Sequence, residues 1–154
     1  MGLMSRAGLL CFALVLASAW ASAAAGAGGM VKEPLKVETA AGPRDFVVEV
    51  AATSEDQATG LMYRREMAAD AGMLFVYPAG SRVTMWMKNT LIPLDMVFIG
   101  PAGRITHIVE RTVPMSNELI GSNGPVRAVL ELNAGTASRL GIKVGDQVRH
   151  PAFR

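Results

Sequence analysis

Hydrophobic and polar residues alternate along several short segments of the chain, the pattern of strands that bury one face. In RDFVVEVAAT (44–53), Phe46, Val48 and Val50 share one side of the predicted strand, and acidic residues occupy the other. Further strands are predicted in GMLFVYP (72–78), RVTMWMKN (82–89), PLDMVFIG (93–100), RITHIVER (104–111), VRAVLELN (126–133) and IKVGDQVRH (142–150).

Two short helices interrupt these strands. The first is predicted over Glu55–Tyr63, with Ser54 as N-cap and Gln57 completing a capping box. The second lies in AGTASRLG (134–141), which Gly141 is placed to end. Short strands separated by Gly and Pro turns predict a mainly β fold: a single small β-sandwich or barrel-like domain with one or two short helices.

The N-terminus has the layout of a secretory signal peptide, predicted over residues 1–23 with cleavage at about 23–25. Arg6 precedes an apolar run at 7–20, and small residues follow it. An uncleaved membrane anchor is the alternative, but this run of about 14 residues is shorter than the roughly 20 that span a bilayer. We therefore expect an extracytoplasmic protein, periplasmic or secreted, with no membrane anchor after cleavage.

Residues 24–40 are rich in small residues and are predicted to be a flexible linker, which leaves residues 41–154 as the domain. The one cysteine, Cys11, lies within the apolar run, so a cleaved chain has no disulfide. The whole chain carries a net charge of +2, and removal of Arg6 leaves +1 without a basic cluster. Nucleic acid is therefore not an expected partner.

Five motifs occur in order along the chain: GLMYRREM, GMLFVYP, WMKNTLIPLDMVFI, VLELNAG and GIKVGD. Together they resemble the family catalogued as domain of unknown function 192, and the resemblance covers residues 47–148. It implies a small β-rich domain that is often exported, and it implies no particular chemistry. Met85 departs from the family pattern, in which an aromatic residue is more common at this position.

The longest apolar stretch, residues 84–100, contains several polar side chains that predict a site. An apolar pocket with a few convergent polar groups suits a small polar ligand. The candidate ligand-binding residues are Lys88, Asn89, Asp95, Trp86, Arg64, Glu131 and Asn133. The structural alternative is that Asp95 braces the loop 89–93 by accepting hydrogen bonds from backbone amides.

Three functions stay open from the residues alone. The leading hypothesis is a non-catalytic extracytoplasmic module that binds a small polar ligand near the loop MKNT and Asp95. The first alternative is a carboxylate-based hydrolase, which requires Asp95 and Glu131 to face each other. The second is an envelope protein-interaction domain without a small ligand, which requires a broad exposed apolar patch.

Other chemistry finds little support in the sequence. Soft thioether ligation of Cu(I) by Met85 and Met87 is a weaker interpretation than core packing by these methionines. The histidines, His107 and His150, lack the motifs of a catalytic triad. We therefore predict no metal, no cofactor and no catalytic residue.

Overall fold

The computed structural model describes residues 29–154, so the predicted signal peptide at 1–23 lies outside the described residues. The described part contains two short helices, α1 (Ser54–Thr59) and α2 (Thr136–Leu140), and a C-terminal 3-10 turn at Pro151–Phe153. Its nine strands are β1 (Lys32–Thr39), β2 (Gly42–Ala51), β3 (Ala71–Ser81), β4 (Thr84–Met85), β5 (Leu94–Ile99), β6 (Ile105–Val109), β7 (Ile120–Gly121), β8 (Val126–Asn133) and β9 (Gln147–Arg149).

Seven of these described strands form one curled sheet in the order β6-β5-β8-β3-β2-β1-β9, and β4 pairs with β7 separately. Neighbours in the large sheet are antiparallel, except that β2 and β3 are parallel and are connected through α1. The curl brings the two outer edges together. Ile105 donates its N–H to the Asp146 carbonyl at 2.9 Å, and Val148 donates to Gly103 at 2.7 Å. The predicted barrel-like β fold is confirmed.

Each face of the sheet carries its own hydrophobic core. The concave face buries residues such as Val48, Leu74, Val97 and Leu130 inside the curl. The opposite face is covered by α1, β4, β7 and the loops around them. Its core consists of Ala51, Leu61, Met73, Phe75, Met85, Met87, Leu94, Met96, Phe98, Val126 and Val129. Residues on both faces of β5 and β8 are therefore buried, which explains the long apolar runs in these strands.

The structure corrects the predicted linker at 24–40, because residues 32–39 form β1 within the sheet. Leu35 and Val37 alternate with polar residues and are 2% and 0% exposed. Pro34 obscured this alternation in the sequence. It is accommodated because β9 pairs only with residues 36–38 of β1, so the other edge of the strand is open at the proline.

The predicted helices are present, with shifted ends. Thr53 rather than Ser54 caps α1, and its hydroxyl accepts from the Asp56 N–H at 3.1 Å. Gly141 ends α2 in the left-handed conformation, as predicted, at φ 71°. No helix within the described residues is both long and apolar enough to cross a membrane.

Candidate functional site

A pocket of about 270 Å³ opens on the face of the sheet that carries the methionine-rich core. One wall is α1 with the turn that follows it, and the other is β4 with the loop after it. The sheet itself, through β3 and β8, forms the floor. The lining residues are Ser54, Gln57, Ala58, Thr59, Gly60, Leu61, Met62, Phe75, Tyr77, Thr84, Met85, Trp86, Thr90 and Glu131.

The turn from α1 into the pocket wall depends on Gly60. This residue has φ 48° and ψ −133°, a combination that a side chain would strain. A Cβ atom there would also lie 3.1 Å from Cζ of Phe75. The missing side chain therefore lets the wall approach the aromatic floor closely.

Glu131 contributes a carboxyl to the floor of this pocket. It lies in β8, opposite Met73 of β3 and Met96 of β5, and these flanking methionines are both fully buried. Glu131 itself is only 4% exposed. Burial raises the pKa of its carboxyl to about 8, because apolar surroundings disfavour the charged form. The acid is therefore mostly protonated near neutral pH.

Tyr77 adds the second titratable group of the lining. It follows Phe75 on the same side of β3, and its hydroxyl donates to Sδ of Met85 at 3.5 Å. Burial, together with the nearby Glu131 carboxyl, raises the pKa of Tyr77 to about 12. The phenol therefore keeps its proton at physiological pH, with its O–H directed at the weak thioether acceptor of Met85.

The loop after β4 places Trp86 at the rim, where it is 47% exposed. The ammonium of Lys88 lies 5.3 Å from the centre of the Trp86 ring, within the range of a cation–π contact. Asn89 has a positive φ of 55°, and its side-chain amide donates to the Tyr63 hydroxyl at 2.9 Å. Of these predicted residues, Trp86 lines the pocket, whereas Lys88 and Asn89 shape the loop beside it.

Asp95 lies elsewhere, on the concave face of the sheet and without exposure to solvent. Its Oδ1 accepts from the N–H groups of Arg111 and Gly135, and its Oδ2 accepts from that of Ala137, each at 2.9 Å. Both oxygens are thus held by backbone amides, so Asp95 is a brace between loops and the start of α2. The structure therefore removes this residue from the candidate pocket.

Arg64 and Asn133 are also structural. Arg64 donates twice to the Glu49 carboxylate, with both N–O distances at 2.6 Å, and this interaction lowers the pKa of Glu49. Asn133 donates to the carbonyls of Met67 and Ala68 at 2.9 and 3.1 Å and so fixes the loop before β3. Neither residue reaches the Glu131 pocket.

Other hollows are larger, but their polar groups are weaker candidates for ligand binding. A cleft of about 500 Å³ beside β9 includes His150, whose Nδ1 accepts from the Ala152 N–H at 3.2 Å. Its Nε2 lies 3.0 Å from the Glu33 carboxylate without a well-formed hydrogen bond, and burial lowers the pKa of His150. A hollow of about 710 Å³ contains the Arg64–Glu49 pair, in which each charge already has its partner.

Sequence reasoning missed Phe75, Tyr77 and Met85 as pocket residues. Period-two alternation places Phe75 and Tyr77 on one side of β3, and this signal was present in the sequence. Nothing in the sequence indicated that β3 pairs with β8. This pairing places Met73 opposite Glu131. Among the described residues, no three His, Cys, Asp or Glu side chains come together as a metal site would require.

The fold and the pocket define a small barrel-like β domain with one buried carboxyl in a cavity whose other described lining residues are uncharged. The chain belongs to the family DUF192, described as an uncharacterized ACR, whose model matches residues 36–150. This family is the one that the sequence motifs indicated. A search of curated proteins found no match.

Two solved structures are similar to the chain. One is a protein of Sinorhizobium meliloti 1021, described provisionally as a transcription regulator, with 47% identity and a TM-score of 0.79. The match covers 82% of this chain and 99% of that one. The other is a protein of unknown function from Novosphingobium aromaticivorans DSM 12444, with 41% identity and a TM-score of 0.78. It covers 80% of this chain and 89% of that one.

Proposed function

We propose that the protein is an extracytoplasmic binding module that holds a small ligand in the Glu131 pocket. The observation that carries this proposal is a buried carboxyl, 4% exposed, on the floor of a pocket of about 270 Å³. Burial of a polar group costs free energy unless it has a hydrogen-bond partner. A ligand with one polar group and an apolar body would supply that partner.

The lining supports a ligand of mixed character. Phe75, Leu61 and Met85 offer apolar surface, while the Tyr77 hydroxyl and Glu131 carboxyl offer polar contacts at the floor. Apolar pockets with a few placed polar groups are the usual form of small-molecule sites. The polar group of the ligand would therefore enter first, with its apolar part toward Trp86 at the rim.

A hydrolase based on Asp95 and Glu131 does not fit the sheet. The two residues are on neighbouring strands, but Asp95 is opposite Leu132 and Glu131 is opposite Met96. Because successive residues of a strand point to opposite faces, the carboxyls are on different sides of the sheet. They cannot share one substrate, so we base the proposal on binding.

The Sinorhizobium protein is described provisionally as a transcription regulator, but the described helices of this chain do not favour DNA binding. Among the described residues, α1 and α2 have six and five residues, which is short for a recognition helix in the major groove.

An envelope interaction domain is the second candidate, and exposed apolar residues favour it. Tyr63, Leu91 and Met115 are 68%, 42% and 53% exposed on three loops beside the pocket. Backbone hydrogen bonds join these loops, with Tyr63 donating to Asn89 at 2.9 Å and Met115 to Thr90 at 3.0 Å. If a protein partner binds this rim, Leu91→Ser with Met115→Ser should abolish its capture and leave the Glu131 pocket intact.

A thermal-shift screen of the full chain tests the small-ligand proposal. The panel holds amino acids, amines, sugars, nucleotides and cell-wall fragments. A ligand at 100 times its Kd stabilises the folded state by about 2.7 kcal/mol. We expect at least one hit that disappears in Ala58→Trp, because Ala58 is exposed on α1 at the pocket and a tryptophan there would fill it.

Ala79→Trp is the matched control, since Ala79 is exposed and does not line the Glu131 pocket. Hits should survive this substitution. A panel without hits, or hits that Ala58→Trp leaves unchanged, would rule out the pocket as the binding site.

A further inference from the structure

The titratable groups that line the Glu131 pocket, a carboxyl and a phenol, are acids. Among residues 29–154, its lining contains one carboxyl, that of Glu131, and one phenol, that of Tyr77, but no lysine, arginine or histidine. Lys88 is close by, but it stacks over the Trp86 ring outside the lining. An anionic ligand would therefore meet a buried acid and no compensating positive charge.

In the part of the chain that the structure describes, the residues that flank Glu131 also supply no cation to its carboxyl. The facing residues of β3 and β5 are the uncharged Met73 and Met96, and Gln57 directs its amide N–H groups to the carbonyls of Ala51 and Val76. Tyr77 is the titratable neighbour among the lining residues. An ionised Glu131 thus needs a positive charge that enters through the pocket, because a buried charge is stable only when paired.

The rest of the lining suits such a charge. Phe75 and Tyr77 on the floor and Trp86 at the rim provide aromatic rings, and a cation is attracted to an aromatic face within about 6 Å of its centre. The Lys88 ammonium, 5.3 Å from the Trp86 ring, shows this attraction at the rim. Met62 and Met85 add polarizable thioethers that pack well around an apolar ligand body.

We infer that the ligand of this pocket is a small organic monocation, an amine on an apolar body, that pairs with the Glu131 carboxylate beside the aromatic rings of the lining. This inference rests on the proposed small-ligand function and specifies its ligand class. Binding of the ammonium ion displaces the proton of Glu131 into solvent and leaves an ion pair. No covalent bond forms or breaks apart from this O–H bond.

The ion pair between the amine and Glu131 makes the affinity of the pocket for the amine depend on pH. The unoccupied Glu131 has a pKa of about 8, so below that pH the ammonium ion must displace a proton. Affinity is therefore expected to rise about tenfold per pH unit from pH 6 to pH 8. It falls again only when the free amine loses its own proton, near pH 10.

Two matched probe pairs test the inference: 2-phenylethylamine with 2-phenylethanol, and butylamine with butanol. The full chain contains Trp20 and Trp86, so Trp20→Phe makes Trp86 the sole fluorescent reporter at the pocket rim. We expect at least one amine to bind at pH 8 at least tenfold more tightly than its alcohol. Phenylacetate, the anionic analogue, should not bind.

Glu131→Gln should bring the affinity for the amine down to that for the alcohol and remove its pH dependence. Glu118→Gln is the matched control, because Glu118 is exposed and does not line the pocket. Calorimetry in two buffers with different ionisation enthalpies should show nearly one proton released per amine bound at pH 6.5. A merely structural Glu131 would not produce this proton release.

The outcomes separate the inference from the proposed function. If an alcohol binds as tightly as its amine, and Ala58→Trp blocks both, the pocket binds ligands but the cation inference is wrong. Amine binding that persists in Glu131→Gln also overturns it. If neither amine binds, the inference fails, and the wider ligand panel decides separately whether the pocket is used.

Discussion

Asp95 and Glu131 lie on neighbouring strands of one sheet, yet their carboxyls are on opposite faces. Asp95 is paired in register with Leu132, one residue beyond Glu131. One carboxyl is held by three backbone N–H groups, and the other lines a pocket, where burial raises its pKa to about 8. Because successive residues of a strand point to opposite faces, this offset of one residue makes Asp95 a structural acid and Glu131 a candidate binding group.

Asp95→Ala should destabilise the fold by about 3–5 kcal/mol, because three amides lose a charged acceptor in a buried place. Urea denaturation measures this loss. Asp45→Ala is the matched control: Asp45 pairs with Lys36 at the surface, and its removal should cost less than about 1 kcal/mol. Similar losses in both variants would contradict the bracing role.

The stability of the protein should depend on the proton of Glu131. The folded pKa of about 8 exceeds the ordinary value of 4.5, so the folded state binds this proton more tightly than the unfolded state does. The stabilising contribution is complete below pH 4.5 and is lost as the pH rises through 8. Between these two pH values, the free energy of unfolding of the wild type should fall by about 1.4 kcal/mol per pH unit relative to that of Glu131→Gln.

Denaturation curves of both proteins at pH 4 to 9 test this expectation. The Glu118→Gln protein should follow the wild type at every pH, since Glu118 is exposed. A wild-type curve parallel to that of Glu131→Gln would mean that the carboxyl ionises as easily in the folded state as in the unfolded chain.

Glu49→Gln should reduce stability by about 1 kcal/mol and leave ligand binding unchanged. The Glu49–Arg64 pair has two 2.6 Å contacts, but both side chains are partly exposed, so solvent screens the interaction. Chemical denaturation and probe titration measure the two effects. Weaker amine binding in this variant would indicate that Arg64 takes part in ligand binding.

Trp86→Ala should weaken amine binding at least tenfold and change the free energy of unfolding by less than about 0.5 kcal/mol. The ring is 47% exposed, so its loss leaves little empty space in the core. Calorimetry is the readout, because this variant lacks the reporter tryptophan. Leu91→Ala is the control: Leu91 is 42% exposed and does not line the pocket, so its loss should leave the affinity unchanged.

Expression of the full chain should yield an exported protein whose N-terminus lies at about residues 24–26, as the proposed signal peptide requires. Mass spectrometry of periplasmic and secreted fractions measures the terminus. Leu16→Arg places a charge in the apolar run and should block export. Recovery of the uncleaved chain in the cytoplasm alone would contradict an extracytoplasmic location.

The sequence by itself determined the described strands other than β1 and β7, the two helices and the family, because these depend on local alternation, caps and motifs. The exposed Trp86 beside the buried Met85 and Met87 follows directly from period-two alternation. Even β1 follows this rule, since Leu35 and Val37 alternate with polar residues. There, Pro34 and the preceding glycines concealed the strand.

Only the tertiary structure decided what each polar residue does. Asp95 and Glu131 both looked like carboxyls within apolar strands, and strand pairing alone placed them on different faces. The partners of Asp95 lie 16 to 42 residues further along the chain, and the register of β3 sets Met73 beside Glu131. Long-range contacts of this kind leave no periodic trace in the chain, because they depend on which strands pair and in what register.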